Sequence, residues 1–342
     1  MPRIFPDELT TLATRALECA GARPETASET ARALVYGDLH GLASHGVSRL
    51  PMYIAQLRNG RVDPQAQPAI VASRSAAVLV DAADGMAYPA CALAVATVIE
   101  RAREHGSAVA SVTRSHHFGA GAYHLEAIGA AGMVGLAFSN SPAAMPALGG
   151  RHPIFGTNPI AAVFPRRHSA PLLIDLSLSQ VARGKIMMAA RKGKPIPEGW
   201  ATTREGLPTT DANAALEGMM LPFGGAKGAM LALVVELLAA ALAGANFGYE
   251  AGSFLTADGE RSRVGHLFWA IDPAALAGSN AYLLRVEALI EQMMLDADIR
   301  LPGERRRRIA EAARQNGIEL PTTLLDELRA MTGPTTTSNA AK

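Results

Sequence analysis

Apolar residues recur at helical spacing near both ends of the chain. In the segment that begins at Pro24, the residues Ala27, Ala31, Leu34 and Val35 share one face, which is typical of a helix packed on a core. Proline opens the segment, as it often does in helices, and Gly21 closes the one before. The pattern predicts helices over residues 6–20, from residue 24 onward, and over 44–57, 280–295, 303–316 and 321–331.

Between these ends, short β-rich runs alternate with further helices. Strands are predicted over residues 77–80, 108–113, 134–138, 160–164, 172–176 and 264–271, and helices over 88–104, 122–131, 180–190 and 227–242. Because several strands lack a crossover helix, the sheet need not be purely parallel. We therefore predict a mixed α/β (α+β) fold, with an α/β domain (71–271) inserted in a helical domain built from residues 1–70 and 272–331. The polar residues 332–342 predict a flexible tail.

Composition narrows the class of protein. The 342 residues are 49% hydrophobic and 18% charged with a net charge of +1, which argues against disorder and against nucleic-acid binding. The two cysteines are too few for a disulfide framework or a cysteine-rich zinc site, and no signal peptide opens the chain, so we expect a cytoplasmic protein. The apolar run 228–245 contains Glu236, which favours a buried helix over a membrane span.

The stretch HGLASHGVSRLPMY (residues 40–53) is the most informative. If it is helical, His45 and Arg49 lie one turn apart on the same face. An arginine binds a carboxylate through two hydrogen bonds, and a neighbouring histidine can give a proton to an oxygen beside it. A 2-oxo acid presents those two groups on adjacent carbons. The alternative is that Arg49 is a surface residue and His45 only packs.

A second stretch, VASVTRSHHFGAGAYHLEAIGAAG (109–132), places a glycine-bearing turn between a strand and a helix. Such a turn can hold a phosphate at the helix N-terminus. The pair Gly119 and Gly121 imitates a Rossmann fingerprint, but His124 stands where the third glycine belongs and no acidic partner follows at the usual distance. We therefore reject that fingerprint. The histidines lack a carboxylate or thiol cluster, so we predict no metal site.

Three later stretches carry weaker signals. Asp175, Ser177 and Ser179 follow a strand, where polar groups often line a ligand crevice, although Asp175 equally suits the start of the next helix. The segment PFGGAKG is not a phosphate-binding loop, because Gly228 stands where serine or threonine is required. The basic run LPGERRRR (301–308) is either a solvated face or a contact for a phosphate such as a cofactor 2′-phosphate.

Taken in order, these stretches resemble the malate/L-lactate dehydrogenase family that lacks a Rossmann fold, which also includes sulfolactate dehydrogenase, ureidoglycolate dehydrogenase, 2,3-diketogulonate reductase and Δ1-piperideine-2-carboxylate reductase. The resemblance covers residues 34–317. It rests on HGLASHGVSR, SHHFG, FGTNP, DLSLSQVARGK, KPIPEGWA, GLPTTD, PFGGAKG, ELLAAALAGANF and LPGERR.

The resemblance implies an NADP- or NAD-dependent oxidoreductase that transfers hydride to and from C2 of a small 2-oxo or 2-hydroxy acid of the malate, lactate or sulfolactate type. It also implies a non-Rossmann NAD(P)-binding domain at residues 71–271, a substrate-side helical domain, and a homodimer with its active site near domain and subunit boundaries. Neither nucleic acid nor membrane is an expected partner.

The same resemblance assigns roles by position. His45 is the proton donor in reduction with Ser44 as its partner, Arg49 binds the substrate carboxylate, and Thr157 lies near the substrate. His117 is a second candidate for the acid–base role. The expected cofactor contacts are His117, Phe118, Gly119, Ala120, Gly121, Asp175, Leu176, Ser177, Gly303, Glu304 and Arg306.

Lys185 helps to choose a branch of the family. The reductases of cyclic 2-imino acids carry an aspartate at this position, so a catalytic lysine here resembles the hydroxy-acid dehydrogenases. Reduction of a cyclic C=N bond remains the alternative activity. A catalytically silent member that only binds a dinucleotide is a further alternative, against which the presence of His45, Arg49, Thr157 and Lys185 argues.

Overall fold

A computed structural model describes residues 1–333 of the chain, and residues 334–342, most of the predicted tail, lie outside that range. The strands are β1 (Arg3–Ile4), β2 (Ala69–Arg74), β3 (Ala77–Asp81), β4 (Ser107–Ser115), β5 (Val134–Ser139), β6 (Met145–Pro146), β7 (Pro153–Phe155), β8 (Ile160–Phe164), β9 (Leu172–Leu176), β10 (Ala201–Thr202), β11 (Pro208–Thr209), β12 (Val264–Ile271) and β13 (Ile318–Glu319). The α-helices are α1 (Pro6–Cys19), α2 (Pro24–Leu39), α3 (Leu50–Arg58), α4 (Ala87–His105), α5 (Gly121–Ala130), α6 (Arg183–Arg191), α7 (Ala212–Glu217), α8 (Ala226–Glu236), α9 (Ser279–Met293), α10 (Glu304–Asn316) and α11 (Thr322–Met331).

A seven-stranded mixed sheet lies at the centre, in the order β2-β3-β4-β12-β5-β8-β9. Strands β3 and β4 pair in parallel, and every other neighbouring pair in this sheet is antiparallel. The helix α4 makes the crossover that the parallel pair needs. This confirms the mixed α/β fold, and it differs from the mostly parallel sheet of a Rossmann domain.

The two largest hydrophobic cores hold the ends and the middle of the chain, and a third contains Ile186 of α6 and Val235 of α8. One core packs α4 and α5 on a face of the central sheet, with Phe268 of β12 and Ile128 of α5 fully buried. The other joins both chain ends, because Leu17 and Leu34 pack in the same cluster as Leu328. Helix α9 is attached elsewhere, through an ion pair of 2.7 Å between Arg166 and Glu287. The domain boundaries themselves stay a prediction.

The prediction of one helix over residues 44–57 is wrong. Two 3₁₀ turns, Ala43–His45 and Val47–Arg49, precede α3 instead. Between them Gly46 is extended, with φ −96° and ψ −160°. The buried carboxylate of Asp38 accepts the backbone N–H of Val47 at 2.7 Å, which satisfies a donor that a continuous helix would have paired differently.

Two later helix boundaries also differ from the expectation. Helix α6 begins only at Arg183, because the backbone N–H of Gln180 bonds to the carbonyl of Leu221 and keeps the preceding segment extended. Helix α8 ends at Glu236 and a π-helical turn, Leu237–Ala241, follows it. Across residues 1–333, none of the helices combines the length and the apolar character that a membrane crossing requires.

Candidate active site

The two 3₁₀ turns bring His45 and Arg49 together without an α-helix. The Ser44 hydroxyl lies 2.9 Å from Nδ1 of His45, and the Arg49 Nε donates to the Ser44 carbonyl at 2.7 Å. The segment is held from beneath by α2, since a methyl group on Gly46 would lie 2.1–2.3 Å from the Asp38 carboxyl atoms. The backbone of this segment is thus fixed by direct contact with a helix.

A second imidazole faces the first. His117 follows the end of β4, and its ring centroid lies 5.4 Å from that of His45. Its Nδ1 lies 2.6 Å from the hydroxyl of the fully buried Tyr53, and Phe254 packs on its ring at 5.1 Å between centroids. Both histidines therefore use Nδ1 for contacts within the protein. Within residues 1–333 neither Nε2 has a hydrogen-bond partner, and neither is sealed from solvent.

Both imidazoles are held neutral by their surroundings. Burial lowers the pKa of His45 to about 4, with further lowering by the positive charges of Arg49 and Arg306. Burial also lowers the pKa of His117 well below its usual range, again assisted by Arg49. A substrate carboxylate bound to Arg49 would cancel part of that positive field and raise the pKa of His45. An anion beside Arg49 would therefore favour the protonated form of His45.

Thr157 sits in a turn that a buried carboxylate organises. Its N–H donates to the Ser141 hydroxyl at 3.0 Å, while the next residue, Asn158, adopts a left-handed φ of +39°. The Nδ2 of Asn158 donates to Glu236 at 2.7 Å, and Asn140 donates to the other oxygen of the same carboxylate at 2.9 Å. No hydrogen bond joins Thr157 to the histidine pair within the described chain. The lone charge in the apolar run of α8 was the sequence signal for this role of Glu236.

Asp175 lies at the end of β9 and joins three of the expected cofactor elements. One of its carboxylate oxygens accepts the N–H of Ala122 at 3.3 Å in the first turn of α5. Arg306 reaches the same oxygen at 3.3 Å and donates to the Asp175 carbonyl at 3.1 Å. Asp175 thus caps the helix before it in sequence, and not the one after it. A carboxylate of this chain already contacts the helix N-terminus where a phosphate was considered.

The other expected cofactor residues divide into buried and accessible groups. Phe118 is buried and stacks on His266 at 4.9 Å between ring centroids, so it supports the site from behind. Gly119 has φ +73°, and a methyl group there would lie 2.7 Å from the Tyr88 hydroxyl. Ala120 is also buried, whereas Leu176 is exposed and the Ser177 hydroxyl lies 3.2 Å from that of Ser179.

The turn before α10 borders a surface depression of about 410 Å³. Gly303 takes a left-handed φ of +88°, and Glu304 accepts the N–H of Leu301 at 3.3 Å. Three of the seven residues that line the depression are arginines, Arg300, Arg305 and Arg306, and one is an aspartate, Asp298. The Asp298 carboxylate can accept from ribose hydroxyls and the arginines can bind phosphates, so this set of groups fits the adenosine end of a nicotinamide dinucleotide.

Lys185 lies near the histidine segment. It is exposed in the first turn of α6, and a methyl group on the preceding Gly184 would lie 3.7 Å from the Cβ of Ser44. The first turn of α6 therefore borders the segment that carries His45. No group of three or more histidine, cysteine, aspartate or glutamate side chains positioned for a metal ion occurs among residues 1–333.

Comparison with known proteins identifies the family. The malate/L-lactate dehydrogenase profile matches residues 4–329. The chain belongs to this family. It is 50% identical over 323 residues to the (2R)-3-sulfolactate dehydrogenase (NADP(+)) of Chromohalobacter salexigens, covering 94% of this chain and 96% of that one. It is 41% identical over 335 residues to a Δ1-pyrroline-2-carboxylate/Δ1-piperideine-2-carboxylate reductase of Pseudomonas aeruginosa, covering 97% and 99%.

A solved structure agrees with the fold of this malate/L-lactate dehydrogenase family member. The Δ1-piperideine-2-carboxylate reductase of Pseudomonas syringae pvar. tomato superposes with a TM-score of 0.91 at 36% identity, covering 97% of this chain and 100% of that one. The chain is an NAD(P)-dependent dehydrogenase of the malate/L-lactate dehydrogenase family.

Three residues that support the histidine pair were not singled out from the sequence. They are Tyr53, Asp38 and Phe254.

Proposed function

We propose that the protein interconverts 3-sulfopyruvate and (2R)-3-sulfolactate with NADP(H). The observation that carries this proposal is the free Nε2 of His45 in the segment that also carries Arg49, because this segment borders the first turn of α6, which carries the exposed Lys185. The sulfolactate dehydrogenase that is 50% identical over nearly the whole chain supports the same substrate.

The chain's own residues supply position and a proton. Arg49 holds the substrate carboxylate and thereby fixes C2 and its oxygen beside His45. A bound reduced nicotinamide supplies the hydride to C2. As the new C–H bond forms, the carbonyl π pair moves to oxygen, and protonated His45 gives its Nε2 proton to that oxygen and becomes neutral. In the oxidative direction neutral His45 accepts the hydroxyl proton.

Charge separates this substrate from the alternative one. Sulfopyruvate carries two negative charges, whereas a cyclic 2-imino acid carries one carboxylate and, when protonated, a cationic nitrogen. A lysine beside the site favours a second anionic group and disfavours an iminium ion. The imino-acid reductases at 41% identity and in the superposed structure keep reduction of a cyclic C=N bond as the second candidate.

A substrate panel with matched variants tests this assignment. We would assay sulfopyruvate, oxaloacetate, pyruvate and Δ1-piperideine-2-carboxylate with NADPH and NADH, using wild-type protein, Lys185→Met and Lys185→Asp. Lys192→Met, an exposed lysine just after α6, is the control. We expect Lys185→Met to lower kcat/KM for sulfopyruvate by roughly tenfold or more, the value of one charged hydrogen bond. Faster wild-type turnover of the cyclic imine than of every oxo acid would overturn the proposal.

We propose NADP as the preferred cofactor, with the turn at residues 302–306 receiving the 2′-phosphate. Arg305 is exposed and borders the same depression as Arg306. Arg305→Ala should weaken NADPH binding about tenfold, as for loss of a charged hydrogen bond, and leave NADH binding little changed. Arg306→Ala should weaken binding of both cofactors, because it also removes the partner of the Asp175 carboxylate. Arg308→Ala, on the exposed side of α10, is the control. Equal affinities of the wild-type protein for both cofactors would contradict this preference.

We also propose that a second copy of the chain covers the outer face of α8. Large apolar side chains are exposed along this helix and the π-helical turn, which is unusual for a surface left in water. They are Met230, Leu231, Leu233, Val234, Leu237 and Leu242. Sedimentation should show a dimer for wild-type protein and for Leu276→Glu, an exposed site elsewhere, and a monomer for Leu233→Glu. A monomeric wild-type protein would refute the dimer. The cytoplasmic location stays a prediction.

A further inference from the structure

Three hydrogen-bonding groups form a chain from the core to the active site. Tyr88 and Tyr53 are both buried, and their hydroxyl oxygens lie 3.5 Å apart. The Tyr53 hydroxyl continues to Nδ1 of His117 at 2.6 Å. His117 is half-buried, and because its Nδ1 edge contacts a fully buried side chain, its accessible edge carries Nε2.

The number of protons available decides the direction in which these hydrogen bonds are donated. Burial raises the pKa of both tyrosines, so both hydroxyls keep their protons. Within the described residues, Tyr88 has no hydroxyl partner other than Tyr53. If the bonds ran inward, from His117 to Tyr53 to Tyr88, the Tyr88 proton would be buried without an acceptor, which costs about 1–3 kcal/mol. If they run outward, the proton of Tyr88 points to Tyr53 and that of Tyr53 points to His117.

We propose that Tyr53 fixes His117 in the neutral tautomer that carries its proton on Nε2, so that His117 donates a hydrogen bond to the reacting substrate oxygen and does not supply its proton. This rests on the proposed function. Tyr53 is a positioning residue, since it acts through His117. His45 and His117 then divide the work: one transfers a proton, and the other stabilises the developing negative charge from a fixed position.

The surroundings of the two rings support this division. The partner of His117 is a tyrosine sealed in the core, so no exchangeable proton reaches Nδ1 from solvent. The groups around the ring are cationic or neutral: Arg49, His45, His116 and His266, with Tyr53 and Phe254 packed against it. No carboxylate among the described residues forms a hydrogen bond with the ring. A second positive charge on His117 is therefore unfavourable beside Arg49.

Nitrogen NMR tests the tautomer without any turnover. In protein labelled with ¹⁵N-histidine, we expect His117 to show a bare Nδ1 and a protonated Nε2, assigned by loss of the signals in His117→Gln. Tyr88→Phe removes the other acceptor for the Tyr53 proton, so the same tautomer is expected there. Tyr53→Phe should give a mixture of tautomers. A protonated Nδ1 on His117 in wild-type protein would overturn the proposal.

Kinetics tests the consequence for catalysis. Tyr53→Phe should lower kcat for the 2-oxo acid by about 10²-fold, the usual penalty for a misplaced catalytic group, with little change in KM for the cofactor. Tyr282→Phe is the matched control, because it removes a buried hydroxyl that lacks a partner in residues 1–333. His117→Gln, which keeps an N–H donor, should retain more activity than His117→Leu. In both variants kcat for reduction should still fall as pH rises and His45 loses its proton.

Two results would overturn the role of His117 as a hydrogen-bond donor. One is an equal loss of kcat in His117→Gln and His117→Leu together with loss of the fall in kcat with rising pH, and the other is a wild-type kcat in Tyr53→Phe. A failure of the proposed function can be distinguished from a failure of this inference. In that case the wild-type protein reduces no 2-oxo acid, while the nitrogen shifts of His117 still decide its tautomer.

Discussion

His45 and His117 lie 5.4 Å apart between ring centroids and both leave Nε2 accessible, but they differ in the group that contacts Nδ1. Behind His45 lies the exposed hydroxyl of its sequence neighbour Ser44. Behind His117 lies Tyr53, 64 residues away in sequence and fully buried. A ring backed by solvent can regain a proton after each turnover, whereas a ring backed by the core keeps one tautomer. Access to water, and not the type of side chain, separates an acid–base group from a fixed donor.

Electrostatics alone does not make this distinction. Burial and Arg49 lower the pKa of both rings, so both are neutral near pH 7 in the free protein. What differs is the response to substrate. A carboxylate on Arg49 would relieve part of the positive field at both rings, but only His45 has an exposed hydroxyl, that of Ser44, as the partner of its Nδ1.

The largest effect should come from removing the ring that exchanges protons. We expect His45→Ala to reduce kcat by about 10²–10⁴-fold, the usual contribution of a positioned acid or base, with cofactor affinity nearly unchanged. Steady-state kinetics in both directions and cofactor titration measure the two quantities.

His105→Ala, at the end of α4, is the matched control and should behave as wild type. If His45→Ala keeps wild-type kcat while His117→Ala abolishes turnover and with it the fall in kcat with rising pH, the roles of the two rings are reversed.

A smaller loss should follow when the support of His45 is disturbed and its ring is kept. In Gly46→Ala the new methyl group would collide with the Asp38 carboxyl, whose nearest atom would be 2.1 Å away. We expect a cost of about 1–3 kcal/mol in unfolding free energy from overpacking. Displacement of the His45 segment should also lower kcat by about 10²-fold. Denaturant unfolding and kinetics provide the readouts.

Gly132→Ala separates this collision from ordinary backbone strain. Gly132 has φ +76° and nothing within 4 Å of an added methyl group, so it reports strain alone. Equal destabilisation of both variants, with normal kcat in Gly46→Ala, would show that the contact with Asp38 does not position His45.

Sequence reasoning found the two rings more readily than it found their supports. The structure places His45 and Arg49 in two successive 3₁₀ turns and not in the expected helix, and their roles stay a prediction. A helical pattern could not reveal the turns, because the group that interrupts the helix is a carboxylate on another element, Asp38. The strand β2 was missed because its six residues are all exposed and give no alternation.

The other roles that the sequence did not predict depend on partners that are distant along the chain. Tyr53 stood inside the most informative stretch, yet its role depends on a strand end that sequence spacing cannot place. Asp175 was expected to contact a ligand or to cap the following helix, and it caps α5 and not that helix, because the sheet order brings β9 to the first turn of α5. Its contact with the cofactor stays a prediction. Residue types indicated the chemistry, and tertiary contacts decided which group does what.

The smallest expected effect is a change in the pKa of His45 when the positive charge of Arg49, which acts on both rings, is removed. Arg49→Met removes a positive neighbour and keeps the side-chain length, so the pKa of His45 should rise from about 4 toward its ordinary range. The sign follows from the charge: the protonated ring is the positive form, and loss of a like charge makes it less unfavourable. NMR titration of His45 in the free protein measures this midpoint without substrate. Burial is the larger cause of the lowering, so the midpoint should stay below that of an exposed histidine. A midpoint in Arg49→Met equal to that of wild type would mean that substrate binding at Arg49 cannot prepare His45 for proton transfer.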